Sequence, residues 1–467
     1  MDYFETNKPL LAAAYEAWLA MGPLRERRQR CMRFTFGSQW DDIIPTPDGA
    51  MSAREFALKS GRRPITNNLL RRLVKSVIGR YRYSRSEPQS LPADKRQAYA
   101  DNNLDELDCR SLEEFLISGC VVQRIASERT LRGSGRWVDV VSPDRFFATP
   151  IADPRGWDSE IVGMLHDWSV AETVIRLAGN DMRLAAAIRS HFTNLRQRAD
   201  GDLSPSLSAD DSFFRPADPG RCRVIEVWSL EASEVLECRD PLSGSIYTAP
   251  VSRLKHIEVT NRKRAAEGRK LIRYKWVPRT EWMCRWFAPD GTILATSARS
   301  TEHPASHPFM FRFYPLLDGR IHSLIDDVIG QQIYINELIS LIDHVVSCSA
   351  KGVLIFPTER KLANMSWQEV ASAWSSPGGI IPVKGPSAEQ PEQIHSSGSF
   401  SGATELLATQ LRMFEDVSGV SNALMGRSSS GNIGAEHYEG EVKNAMIAIA
   451  DLLDTFSNFI AARNDIL

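Results

Sequence analysis

The feature that most constrains this chain is a long apolar stripe in its second half. Ile321, Leu324, Ile325, Val328, Ile335, Leu338, Ile339, Ile342 and Val345 recur at i, i+3, i+4 and i+7 spacing, which puts them on one face of an α-helix. At 1.5 Å per residue that helix is roughly 45 Å long, more than a single small core needs. Asp326, Asp327, Glu337, Asp343 and His344 interrupt the run, so it does not read as an ordinary membrane span. The N-terminus lacks the charged-then-apolar pattern of a secretory signal. The expectation is a soluble protein with no membrane partner.

Around this rod the pattern alternates between helix and strand, an α+β reading. The 467 residues imply two or three packed units. Helices are expected over 9–34, from Pro64 with Thr66 or Asn67 as N-cap, over 97–121, 168–195 and Val251–Arg264, and near the end over 404–417 and 434–463. Short alternating runs predict strands at 121–125, 137–141, 224–228, 234–238, 271–277 and 282–287, with a turn at Asp240–Gly244. The last two strands read as a small β-unit of their own. Residues 196–220 and 375–403 read as loops.

Charge is balanced over the whole chain, with 56 Lys/Arg against 58 Asp/Glu, so no global field draws it onto nucleic acid. One segment departs from that balance. Between Arg253 and Arg285 there are 11 Lys/Arg and three Glu. Seven scattered cysteines form no C-x-x-C pair and read as reduced thiols, without a zinc knuckle or disulfide framework.

Motifs for chemistry are missing. There is no G-x-x-x-x-G-K-[ST] loop to cradle phosphates, no H-E-x-x-H, no EF-hand loop and no G-x-S-x-G elbow. His303 and His307 have i, i+4 spacing, but Pro304 and Pro308 forbid the helix that would align them. No catalytic residue, metal site or cofactor is expected, and the chain does not read as an enzyme.

The order of parts then matters more than any single motif. Ser38-Gln39-Trp40-Asp41-Asp42 precedes the Asn67–Arg82 helix. Ile225-Glu226-Val227-Trp228 is followed by Asp240-Pro241-Leu242-Ser243-Gly244, and Asp326–Ser349 by Lys351-Gly352. Gly419-Val420-Ser421-Asn422-Ala423-Leu424-Met425-Gly426 precedes a Ser/Gly run and a helix. This collinear series resembles bacteriophage portal proteins, especially those of short-tailed phages, over most of the chain.

The resemblance implies a portal fold: a strand-rich wing, a two-helix stem and a small β clip, assembled as a ring, with a dodecamer expected. Residues 1–248 would be wing, 249–267 the descending stem helix, 268–303 the clip and 304–350 the ascending stem helix. Residues 351–467 would return to the wing, with a tunnel loop near 425–434 and little or no crown. It also implies roles for particular residues. Arg427, Ser428, Ser429, Ser430 and Asn432 would form the tunnel loop that meets DNA in the channel, with 384–402 a second candidate. Asp318, Asp326, Asp327 and Glu337 would face the channel, where acidic groups keep phosphates from sticking, or a neighbouring subunit. Arg269, Lys270, Arg273, Lys275, Trp276, Arg279, Trp282, Arg285 and Trp286 would dock terminase and then the tail adaptor. The tryptophans are expected exposed, the alternative being that they form a β-unit core.

The implied function is a ring-shaped channel at one capsid vertex through which terminase packages double-stranded DNA and DNA later leaves. The implied partners are further copies of the chain, the terminase large subunit, the tail adaptor, the major capsid and scaffolding proteins, and double-stranded DNA. The implied location is the virion, with host cytoplasm during assembly. The alternative is another head-completion or tail-adaptor protein; a motif-less prophage nuclease is a third reading.

Overall fold

The computed structural model describes residues 4–47, 49–84, 93–131, 133–154, 156–201, 212–298, 307–351, 353–375, 380–385, 391–394, 400–420 and 447–467. In chain order these form α1 (Lys8–Ala20), α2 (Gly22–Phe36), β1 (Ile43–Thr46), β2 (Gly49–Ser52), α3 (Ala53–Lys59) and α4 (Leu69–Ser84). Then come α5 (Ala93–Asp101), α6 (Leu104–Ser118), β3 (Cys120–Thr130), β4 (Gly133–Val140), β5 (Phe146–Ala148), β6 (Ile161–Trp168), α7 (Val170–Leu177) and α8 (Met182–Gly201). The middle holds β7 (Cys222–Arg239), β8 (Ile246–Pro250), α9 (Leu254–Ala266), β9 (Arg273–Phe287), β10 (Ile293–Ala298), β11 (Phe309–Phe313), β12 (Pro315–Leu317) and β13 (Arg320–Ile321). The chain closes with α10 (Leu324–Lys351), β14 (Val353–Ile355), α11 (Trp367–Ser375), β15 (Glu392–Ile394), α12 (Phe400–Ser418) and α13 (Ala450–Ile466). The fold is α+β.

Two compact units result. The first comprises Met1–Arg28, Ser84–Ser323 and Asp451–Leu467; the second comprises Gln29–Tyr83 and Leu324–Ala450.

Local chemistry sets many of the element ends. Ser52 and Ser169 each accept a hydrogen bond from the backbone N–H of the Glu three residues on, the side-chain cap that starts α3 and α7. The expected cap of α4 is displaced by one or two residues, because Asn68 Oδ1 accepts from Arg71 N at 3.0 Å. The single helix expected over 97–121 is two, parted at Asn103 with φ 49°. Gly119, with φ 69°, ends α6 where an added Cβ would sit 3.0 Å from Ile321 and 3.1 Å from the Tyr314 carbonyl.

The first unit is built on two sheets. One has the order β10-β9-β7-β6-β5 with β8 also paired to β7; the other has the order β11-β3-β4. Their facing sides make one core: Val122, Phe309, Phe311 and Phe313 meet Phe146, Val162, Trp168, Val224 and Trp286, with Val174 and Ile188 from α7 and α8. The opposite side of the larger sheet carries Phe147, Leu165, Ile225, Val227 and Phe287 and is covered by Leu11, Ala14, Ala17 and Trp18 of α1. That alternation is the period-two pattern of a strand buried on both faces. Gly163 is needed on β6, since a Cβ there would lie 2.2 Å from the Glu226 carbonyl.

Two strand readings are corrected. The runs 224–228 and 234–238 belong to one 18-residue strand, β7. The runs 271–277 and 282–287 belong to one 15-residue strand, β9. β7 and β9 pair continuously from Ile225↔Phe287 to Arg239↔Arg273, so the expected small β-unit is part of the larger sheet. Pro278 fits inside β9 because β10 pairs only Met283–Phe287, leaving that edge without a ladder bond to lose.

In the second unit α10 runs for 28 residues, about 42 Å, and α12 packs along it. α4 contributes the buried stripe Leu70, Leu73, Val74 and Val77.

Candidate functional site

The apolar stripe of α10 carries a polar insert. Gln332, Asn336 and Ser340, spaced i, i+4, i+8 and so on one helical face, are each no more than 3% exposed. They hydrogen-bond the extended segment leading into α4. Ser340 Oγ accepts from Ile65 N at 3.1 Å, Asn336 Oδ1 from Asn67 N at 3.0 Å, and Gln332 Oε1 from Leu69 N at 2.9 Å. Gln332 Nε2 donates back to the Asn67 carbonyl at 2.7 Å and to Asn336 Oδ1 at 3.0 Å. Asn336 Nδ2 donates to Gln39 Oε1, and Gln39 Nε2 to the Phe34 carbonyl. Of the N-terminal amides of α4, which have no partner within their own helix, those of Leu69 and Leu70 are met by Gln332 of the long rod and that of Arg71 by Asn68. Sequence periodicity passes over Gln332, Asn336 and Ser340. Their i, i+4, i+8 spacing was the signal available.

The outward faces of α10 and α12 carry matching apolar residues. Tyr334, Leu341 and Val345 on α10, and Leu406, Met413 and Val417 on α12, are all more than a third exposed. Each set has i, i+7, i+11 spacing, a straight stripe along its helix.

The four acidic candidates are not equivalent. Asp326, in the first turn of α10, accepts a hydrogen bond from Cys31 Sγ at 3.2 Å. Asp327 and Glu337 are exposed on the same helix. Asp318 lies in the first unit, in the turn between β12 and β13, with φ 50°.

The basic segment is partly neutralised by its own sheet. Arg285 pairs with Glu231, Lys275 with Glu237 at 2.9 Å, Arg279 with Glu281 at 3.4 Å and Arg269 with Glu267 at 3.3 Å. Arg264 holds Asp240 with two bonds of 2.7 and 2.8 Å. α9 lies on the end of the β7–β8–β9 ribbon, burying Ile257 against Leu236, Cys238, Ala249 and Ile272. The tryptophans divide between the two readings. Trp276 is exposed, Trp282 is half-buried at the edge of the main core, and Trp286 is buried within it. Lys270 and Arg273 are exposed. Arg427, Ser428, Ser429, Ser430 and Asn432 lie outside the described residues, as does much of 384–402.

Sequence reasoning also missed a buried charged network in the first unit. Glu226 of β7, fully buried, accepts from Arg124 Nε at 2.9 Å, from Trp228 Nε1 at 2.9 Å and meets His166 Nε2 at 2.8 Å. Burial alone would raise the Glu226 pKa, but Arg124 and the His166 and Trp228 N–H groups reverse this and hold it at about 2. Burial lowers the His166 pKa, only partly offset by Glu226. Arg124 is also bonded to Glu128, which meets Arg176. Every charge has a partner, the condition for keeping ions in a core. The arrangement reads as structural, with no nucleophile or open position for substrate.

Among the described residues no cluster of three or more His, Cys, Asp or Glu is placed to hold a metal ion. No described helix is long and apolar enough to cross a membrane. Six cysteines, Cys31, Cys109, Cys120, Cys222, Cys238 and Cys284, are buried thiols.

No curated protein sequence matches the chain. A family model does: residues 166–463, spanning β6 to α13, match the phage P22-like portal protein family. The matched stretch holds both the long ribbon and the α10–α12 pair, and it covers more than half of the chain. The chain therefore belongs to the P22-like portal proteins, a structural family of bacteriophage head–tail connectors.

Proposed function

We propose that this portal protein assembles as a closed ring of about a dozen copies. The ring stands at one vertex of the capsid and passes double-stranded DNA through its centre, inward during packaging and outward at ejection. Capsid and scaffolding proteins surround it, and it is built in the host cytoplasm before becoming part of the virion. The observation that carries this reading is the α10–α12 pair, whose outward apolar stripes have no partner of their own in the described protomer. A second copy offers the simplest cover for such stripes.

The same pair favours a different placement of the two-rod stem from the one expected at 249–267 and 304–350. α9 spans only 13 residues and rests on the β7–β8–β9 ribbon, whereas α10 has a helical companion in α12. We assign α10 and α12 as the rods, and the stretch between them, with β14, α11 and β15, as the part that docks the terminase large subunit and then the tail adaptor. Asp327 and Glu337, exposed on α10, are the acidic groups best placed to discourage phosphate binding along the bore.

Sedimentation of Leu341→Glu/Val345→Glu tests the assembly. The wild-type chain should sediment as a ring and the variant as folded protomers with unchanged circular dichroism. A variant that still forms rings would remove α10 from the interface between copies.

A further inference from the structure

We infer that the free end of the β7–β8–β9 ribbon is a binding site for the phosphate backbone of nucleic acid, centred on Arg239 and Arg273. This does not depend on which helices form the conduit.

The ribbon end concentrates positive charge in a nearly balanced protein. Residues 236–279 contain eleven Lys/Arg against four Asp/Glu. Register divides the side chains between two faces. Leu236, Cys238 and Ala249 point to the face that α9 covers. The alternate positions form the other face, in cross-strand rows: Ile246–Arg239–Arg273, then Thr248–Glu237–Lys275. Ile246, Thr248, Arg239, Arg273 and Lys275 are all exposed, so this face is open.

The outermost row holds two arginines directly opposite each other, an arrangement that destabilises a sheet when like charges are left unneutralised. Both nearest carboxylates are already committed. Asp240 is gripped by both guanidinium nitrogens of Arg264, and Glu237 is paired with Lys275 at 2.9 Å. Among the described residues no carboxylate lies within ion-pair distance of Arg239 or Arg273. The pair therefore presents two guanidinium forks with unused donors, the geometry that takes phosphate oxygens bidentately. Lys270, in the loop that leads into β9, and Arg253, Lys255, Arg262 and Lys263, on and beside α9, are further cations with no carboxylate within 4.0 Å among the described residues. They extend the positive field around the tip. A regularly spaced polyanion fits such a field better than a scattered acidic protein surface does, since duplex DNA offers one charge per roughly 1.7 Å of axis.

The test uses the full chain and a fluorescein-labelled 30-base-pair duplex of mixed sequence, followed by anisotropy across a sodium chloride series. Arg239→Gln/Arg273→Gln should weaken binding about tenfold and lower the slope of log K against log salt by about two, one for each phosphate that is no longer neutralised. Arg273→Glu gives Arg239 a carboxylate across the strand, so it should melt no lower than wild type while weakening binding by at least as much. Arg54→Ala/Lys59→Ala, on α3, should leave the binding curve where it was. Unchanged affinity and salt slope in both ribbon variants would overturn the assignment. So would polyglutamate displacing the duplex as well as unlabelled duplex does at equal charge, which would make the tip a dock for acidic protein instead.

Discussion

Asn336→Ala is the substitution whose consequence follows most directly from the structure. Asn336 is 3% exposed and serves three partners: it accepts from Asn67 N and Gln332 Nε2 and donates to Gln39 Oε1. Gln332 Nε2 keeps its second bond, to the Asn67 carbonyl. The Asn67 amide and the Gln39 carbonyl oxygen lose the partner that Asn336 supplied. The Gln39 oxygen, on a buried residue, costs about 1–3 kcal/mol when orphaned, and the Asn67 amide, on an exposed residue that water can reach, about 1 kcal/mol, for a total of about 2–4 kcal/mol. Because the effect falls on the segment entering α4, hydrogen exchange by mass spectrometry is the assay of choice. A factor of ten accompanies each 1.4 kcal/mol, so amides over 65–71 should exchange on the order of thirty- to a thousandfold faster if that segment opens locally. Glu337→Ala, one residue on and exposed, is the control and should change little. Equal exchange over 65–71 in both variants would refute the idea that α10 clamps the start of α4 through its polar face.

Two more consequences concern the first unit. The folded-state pKa of Glu226 is depressed from 4.5 to about 2, so its contribution is complete above pH 4.5 and drains as the pH falls from there through about 2. A shift of that size corresponds to about 3 kcal/mol, and the acid limb of a stability–pH curve should flatten in Glu226→Gln. Arg463 and Asp108 are both fully buried and joined by bonds of 2.6 and 3.1 Å. Arg463→Ala strands a carboxylate in the core and should cost about 3–5 kcal/mol in urea unfolding, whereas Arg463→Leu/Asp108→Leu should recover much of that stability.

How much of this could be read beforehand varied with the physics involved. The α10 stripe is legible from Leu324 to Ile342, where it repeats over about five turns; Ile321, expected as its first residue, lies in β13, and Val345, expected as its last, is exposed. The polar spine of α10 was not legible, since Gln332, Asn336 and Ser340 make sense only beside the α4 entry segment, some 260 residues earlier in the chain. β7 was read as two strands because Leu230 to Ser233 break the apolar alternation, although no Gly, Pro or Asn there marks a turn. β9 was read as two because Pro278 usually ends a strand; only the sheet order shows that its edge is free at that point. The partnership of α10 with α12 was hidden for the same reason as the buried Arg124–Glu226 pair: interactions made across long sequence separations leave no local periodicity. Arg273, Lys275, Trp276, Trp282, Arg285 and Trp286 fall on the expected strands and lie on β9, and Arg279, between the two expected strands, lies on β9 as well; which of them face solvent depends on what packs against each part of the ribbon. Trp276 and Trp286 belong to the same strand and differ only in what lies against them.

Negative-stain imaging of the purified full-length chain tests the central claim most directly. The account predicts closed rings of about a dozen subunits around a hole wide enough to pass duplex DNA. Monomers or small solid oligomers, under conditions where circular dichroism shows the chain folded, would contradict it.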